Sequence, residues 1–66
     1  MLQITPWERS ALELLASGAP VSHVARQLDV TESEAALRLA ALVAKMGVAG
    51  YPDAVASAAR RGLLRH

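Results

Sequence analysis

Apolar positions along the chain recur at helical spacing in four stretches, each bracketed by residues that start or stop helices. Thr5-Pro6-Trp7-Glu8 reads as an N-cap, a proline at the first helical position and a glutamate at the third, all of which helix starts prefer. The first helix is predicted over 6–17. Ala11, Leu12, Leu14, Leu15 and the Trp7 ring form its apolar stripe, Arg9, Ser10 and Glu13 its wet side, and Gly18 suits the left-handed residue just past its end. Pro20 opens a short second helix over 21–28, with Val24, Ala25 and Leu28 facing inward. Asp29-Val30 makes the turn that follows, aspartate being one of the few residues that tolerate a left-handed backbone.

The third stretch, Thr31 to Val48, departs from ordinary amphipathic patterning. Thr31 with Glu34 predicts a capping box, in which each side chain satisfies a free backbone N–H at a helix start, and Gly47 ends a helix over 32–46. Ala35, Leu39, Leu42, Val43 and Met46 form the face expected to point inward, yet Ala36, Leu37, Ala40, Ala41 and Ala44 leave the rest of the helix apolar as well. A helix apolar nearly all round is normally covered on every side, so something outside the protomer is expected to supply the cover. A plainer explanation stands beside it: alanine is the best helix former and fills neutral surface positions, although Leu37 at the centre of the stripe fits that least well. The fourth helix, over 52–62, is marked by Pro52 in its first turn, Asp53 near the positive end of the helix dipole, and Arg60 and Arg61 near the negative end. Gly62 closes it and leaves Leu63 and Leu64 to pack back, while Val55, Ala58, Ala59 and Leu63 make its apolar stripe.

Length, composition and charge restrict what such a chain does. Sixty-six residues with 53% hydrophobic content make one small, marginally stable, all-α domain with a thin core, too apolar to be disordered. Without cysteine it has neither disulfides nor thiolate metal sites, so helix packing or oligomerisation must supply its stability. No run reaches the ~18 apolar residues of a membrane span, and Met1 to Thr5 lacks the cationic start of a signal peptide; no membrane partner and a cytoplasmic location are expected. Seven basic and six acidic residues make a weak electrostatic case for nucleic acid, because clustered lysine and arginine provide most non-specific affinity. His23 and His66 stand apart with no supporting ligands, and neither a phosphate loop nor a nucleophile motif is present. No cofactor, no metal and no enzymatic activity are expected.

Two helices joined by a tight turn, the second longer, have the form of a helix-turn-helix, and helices two and three fit it. The residues Ile4-Thr5-Pro6, Glu8, Leu12, Leu15, Ala16, Gly18, Val24-Ala25, Leu28, Val30-Thr31-Glu32, Leu39, Lys45-Met46-Gly47-Val48, Ala54-Val55 and Arg60-Arg61-Gly62-Leu63-Leu64 give the chain a frame without gaps. In that frame the chain resembles the GerE/LuxR-type DNA-binding domain of bacterial regulators. The resemblance implies four helices, a helix-turn-helix, transcription regulation, and a fourth helix that pairs two subunits.

The same comparison isolates what is missing. Where the family pattern is roughly T-V-K-x-H, with the Lys, its neighbour and a polar residue one turn on touching DNA, this chain has Ala36, Leu37 and Ala40, with Arg38 in place of the His. Ala44 replaces a frequently basic residue, Pro20-Val21-Ser22 stands where the family tends to Ser-Asn-Lys, Ala49-Gly50-Tyr51 replaces Arg or Asn, and Trp7 stands where Arg is common. Two functions follow as expectations. The first is a stand-alone regulator binding DNA as a dimer, with Ala36, Leu37, Arg38 and Ala40 near bases and Ser22, Arg26 and Lys45 near phosphates, feebly as a monomer. The second is a module for protein contact, with itself or a heteromeric regulator partner, through Leu37, Ala40, Ala41 and Ala44 and, for self-pairing, Val55, Ala58 and Ala59. Trp7 is expected to lid the core or anchor a partner, Tyr51 to pack at the start of helix four or serve an interface, Glu8 to pair with an arginine, and Arg60, Arg61 and Arg65 to form a solvated helix end.

Overall fold

The computed structural model describes residues 3–64; Arg65 and His66, like Met1 and Leu2, lie outside them. The described residues form four helices and no strand: α1 (Pro6–Ala16), α2 (Val21–Gln27), α3 (Glu32–Met46) and α4 (Tyr51–Arg60). The Cα radius of gyration, 10.7 Å, is what a closely packed chain of this length has, about 11 Å. α2 associates most closely with α3, and α1 with α4, so the helix-turn-helix is carried on a platform made by the first and last helices.

Each helix closes in the same way. A residue with positive φ follows the last turn, namely Gly18 (92°), Asp29 (61°), Gly47 (69°) and Gly62 (72°). The amide after it reaches back five residues, from Ala19 to Leu14, Val30 to Ala25, Val48 to Val43 and Leu63 to Ala58, at 2.9–3.3 Å. This satisfies carbonyls that the helix end leaves free and reverses the chain within a few residues. Asp29 is the non-glycine member, at the turn of the helix-turn-helix, as its tolerance of the left-handed region predicts.

The starts differ from one another. At α1 the capping box is complete: the Thr5 hydroxyl accepts the Glu8 N–H at 3.1 Å and the Glu8 carboxylate accepts the Thr5 N–H at 2.8 Å. At α3 only half of it forms. Thr31 accepts the Glu34 N–H at 3.0 Å, but the Glu34 carboxylate turns along the helix to Arg38 instead of back to Thr31. α2 and α4 begin without a side-chain cap, behind Pro20 and Gly50.

The core is thin. Leu12, Val24, Leu39 and Leu42 are its largest fully buried side chains, and Ala11, Ala25, Ala35, Ala54 and Ala58 bring the backbones close around them, with Met46 at one end. The inner face of α3 is the expected one, Val43 being half-buried. α4 is rotated from its expected stripe. Ala54, Ser57 and Ala58 point inward, Val55 is half-buried and Ala59 is exposed; the buried Ser57 hydroxyl accepts the Arg61 Nε–H at 3.2 Å and so is satisfied there. Leu63 and Leu64 pack against the core as expected, and Tyr51 does so from within the first turn of α4.

Candidate nucleic-acid interface

α3 carries an exposed ridge of Ala36, Leu37, Ala40, Ala41 and Ala44, all open to solvent on the side away from Ala35, Leu39 and Leu42. Helical period alone separates the two sides, and the inner side is fixed by the leucines that must be buried. Leu37 is 69% exposed and, among the described residues, is the large hydrophobic side chain left open to solvent. The ridge bears no charge along its length.

The two cations of α3 lie off that ridge, on the flank facing the start of α1, and both are already partnered. Arg38 donates from Nε to a Glu34 carboxylate oxygen at 3.0 Å, and its guanidinium carbon stands 5.0 Å from the centre of the Trp7 ring. About two turns further on, Lys45 meets the Glu8 carboxylate at 2.6 Å. Glu8 therefore pairs with lysine rather than the expected arginine. Its side chain is 15% exposed. Burial opposes its charged form, but hydrogen bonds from Lys45 and from the Thr5 N–H, with the lysine charge, outweigh burial and hold the carboxyl below its ordinary value.

The remaining expected contact residues are scattered around this ridge. Ser22, in the first turn of α2, and Arg26, in its last, are both exposed, and Arg26 forms no ion pair among the described residues. Of the residues expected to read or hold DNA, the structure thus groups Ala36, Leu37 and Ala40 on one ridge, places Ser22 and Arg26 on the neighbouring helix, and turns Arg38 and Lys45 toward α1. Of the self-pairing set, Val55 and Ala59 keep exposed surface, whereas Ala58 is fully buried in the core and has none to offer. Trp7 is half-buried against the core, as a lid, and its indole N–H is buried without a hydrogen-bond partner. Glu13, expected on the wet side of α1, is half-buried, and one of its carboxylate oxygens has no partner. Sequence reasoning missed the tie from Trp7 to Arg38 and that from Glu8 to Lys45, because each joins residues more than two dozen positions apart.

Two open grooves lie away from the ridge. One, of about 420 Å³, is lined by Ile4, Thr5, Pro6, Arg9, Ser10 and Glu13; the other, of about 350 Å³, by Leu15, Ala16, Tyr51, Pro52 and Val55. No group of acidic, histidine or cysteine residues suited to a metal ion occurs among the described residues, and no single helix there is long and apolar enough to cross a membrane.

Four helices with α2 and α3 joined by the Asp29 turn, and α3 presented outward, define a helix-turn-helix domain. Its type is set by comparison with known proteins. The structure of the transcription factor GerE superposes on the chain with a TM-score of 0.88, covering 94% of this chain and 92% of that one at 26% sequence identity. Over 44 residues, 67% of this chain, the sequence is 43% identical to the nitrate/nitrite response regulator protein NarL of Escherichia coli K12, and equally to NarL of Escherichia coli O6:H1. The chain spans 20% of the length of NarL. No protein-family model matches it. The chain is a helix-turn-helix domain of the GerE/LuxR type, with an apolar α3 ridge.

Proposed function

We propose that this domain serves transcription regulation by binding DNA as a dimer, with α3 lying in the major groove. The observation that supports this reading is the near-complete superposition on the transcription factor GerE, taken with the outward face of α3, the helix that a helix-turn-helix lays in the major groove. Ala36, Leu37 and Ala40 meet the groove floor through apolar contact with thymine methyl groups. None of them makes a bidentate contact to a base edge, the kind that discriminates by about 1–3 kcal/mol, so sequence selectivity is low. Ser22 and Arg26 approach the phosphates from α2, and Lys45 and Arg38 from the flank of α3. A second protomer supplies the affinity that one alone lacks, through α4 about Val55 and Ala59. The domain has no enzymatic step in this reading.

The expected salt dependence follows from the ion pairs. Each phosphate neutralised contributes about −0.9 to the slope of log K against log salt concentration, and Arg26, Arg38 and Lys45 set an upper limit of about −3 per protomer. Because Glu34 and Glu8 already partner two of these cations, the slope falls short of that limit. Titration of a labelled random duplex across salt concentrations tests this. Saturable binding with a shallow slope supports the reading, and no binding at low salt overturns it.

A second reading is favoured by the uncharged ridge and by Leu37 standing 69% exposed on it. Contiguous exposed apolar surface marks interaction sites, so Leu37, Ala40, Ala41 and Ala44 would bind protein, whether a second copy or another regulator. Arg26→Ala separates the two. It weakens DNA binding under the first reading and leaves a protein complex intact under the second.

A further inference from the structure

The Arg38 guanidinium is restrained on two sides. Glu34 takes its Nε–H at 3.0 Å from one turn back, and the Trp7 ring, delivered by the first turn of α1, lies beneath it with the guanidinium carbon 5.0 Å from the ring centre. These contacts use the Nε edge and one face of the planar fork. The two terminal nitrogens make no hydrogen bond among the described residues, and the side chain remains 46% exposed. Exposed arginine is ordinarily a flexible chain that gives up much rotamer freedom when it forms a contact. The contacts with Glu34 and Trp7 favour one arrangement of Arg38 before any ligand arrives.

Its position determines what the free edge meets. Arg38 stands on the flank of α3 beside the uncharged ridge and on the same side as Lys45, and a carboxylate lies next to it. With α3 in the major groove, as the DNA-binding reading has it, the ridge would face base edges and the flank the strand that borders the groove. A fork with two parallel N–H donors fits phosphate oxygens there.

We propose that Trp7 is a positioning residue for DNA binding: its ring holds the Arg38 fork, with Glu34 at the Nε side, as a preset contact to a backbone phosphate. This rests on the DNA-binding reading of the domain. Trp7 does not itself touch the duplex. It lowers the ordering cost that Arg38 would otherwise meet on binding, which is the general effect of preorganisation.

Trp7 is the single tryptophan of the chain, so its emission reports on this stack without interference. In the free protein, Arg38→Ala is expected to change Trp7 emission while Arg26→Ala leaves it unaltered; an unchanged spectrum for Arg38→Ala would overturn the stack. On a labelled random duplex, Arg38→Ala should reduce the magnitude of the salt slope by up to about 0.9, the limit for one phosphate contact. Trp7→Leu should weaken binding about threefold to tenfold, the scale of one immobilised side chain, and Trp7→Phe should restore most of that loss. In the Arg38→Ala background Trp7→Leu should cost nothing further. A merely structural tryptophan would instead give additive losses in the double variant, and additivity overturns the proposal while leaving DNA binding intact. If Trp7→Leu unfolds the domain, Trp7→Phe and Trp7→Tyr, whose rings can still stack, must track wild-type binding, and a loss in both counts against it. Failure of the wild type to bind any duplex overturns the DNA-binding reading and this proposal with it.

Discussion

Glu8 belongs both to the start of α1 and to the contact between α1 and α3. Its carboxylate caps the Thr5 N–H at the start of α1 and holds Lys45 of α3 at 2.6 Å, so a local helix cap and a tertiary contact share one group. The consequence is a pH dependence of known sign. A carboxyl held below its ordinary value in the folded state adds stability that is fully present above the unfolded value, 4.5, and is lost as pH falls through the folded value. Glu8→Gln is therefore expected to lower the melting temperature at neutral pH and to flatten its decline on the acid side. If wild type and variant fall in parallel below pH 4.5, Glu8 does not contribute in this way. The neighbouring residues show how far sequence reaches at this scale. The cap at Thr5 and Glu8 is legible because it is written within four positions, whereas Lys45 is 37 positions from Glu8 and nothing local selects it over an arginine. Glu34 illustrates the converse. Its spacing from Thr31 predicts a reciprocal cap, but Arg38 one turn on is an equally close and charged partner, and the carboxylate goes there.

Helix ends and helix faces follow different rules in this chain. The ends are almost entirely legible, since a left-handed residue after the last turn demands glycine or a tolerant polar residue, and Gly18, Asp29, Gly47 and Gly62 occupy those places. Asp29 is the strained member, and removing its Cβ relieves the strain. Asp29→Gly should leave stability unchanged or raise it by up to about 1 kcal/mol, while Asp29→Val should destabilise by more than that; both are read by chemical denaturation. Equal effects of the two would mean that the turn does not hold a left-handed residue. The faces are legible where large side chains decide them. Leu39 and Leu42 fix the inner side of α3, but the fourth helix has little beyond alanine and valine to choose by, and it buries Ala54, Ser57 and Ala58, with the serine hydroxyl accepting from Arg61. Ala58 consequently leaves the self-pairing surface for the core.

For the whole molecule, a thin core and an apolar ridge have to be considered together. The largest fully buried side chains among the described residues are three leucines and one valine, so stability is modest and every exposed apolar group matters to solubility. Leu37 contributes nothing to that core. Leu37→Glu is expected to keep the unfolding free energy within about 0.5 kcal/mol of wild type, as surface substitutions do, while abolishing whatever assembly the ridge supports. A large loss of stability in the isolated protomer would show that Leu37 is packed rather than exposed. The frame that resembles the GerE/LuxR type is visible in the sequence because capping and core residues carry it, and the structural match to GerE bears out both the resemblance and the four-helix fold. Which contact residues act is less visible, since the charges that count are set by tertiary pairing: Arg38 and Lys45 read as free cations until Trp7, Glu34 and Glu8 are seen around them.

The claim on which this account turns is that an uncharged α3 ridge works only inside an assembly, with two protomers on one duplex. Light scattering of the protein mixed with a short random duplex at low salt, across protein concentration, measures that stoichiometry directly. The account predicts a complex of two protomers per duplex that dissociates as salt is raised. A protomer that remains alone at every concentration and ignores the duplex would contradict it.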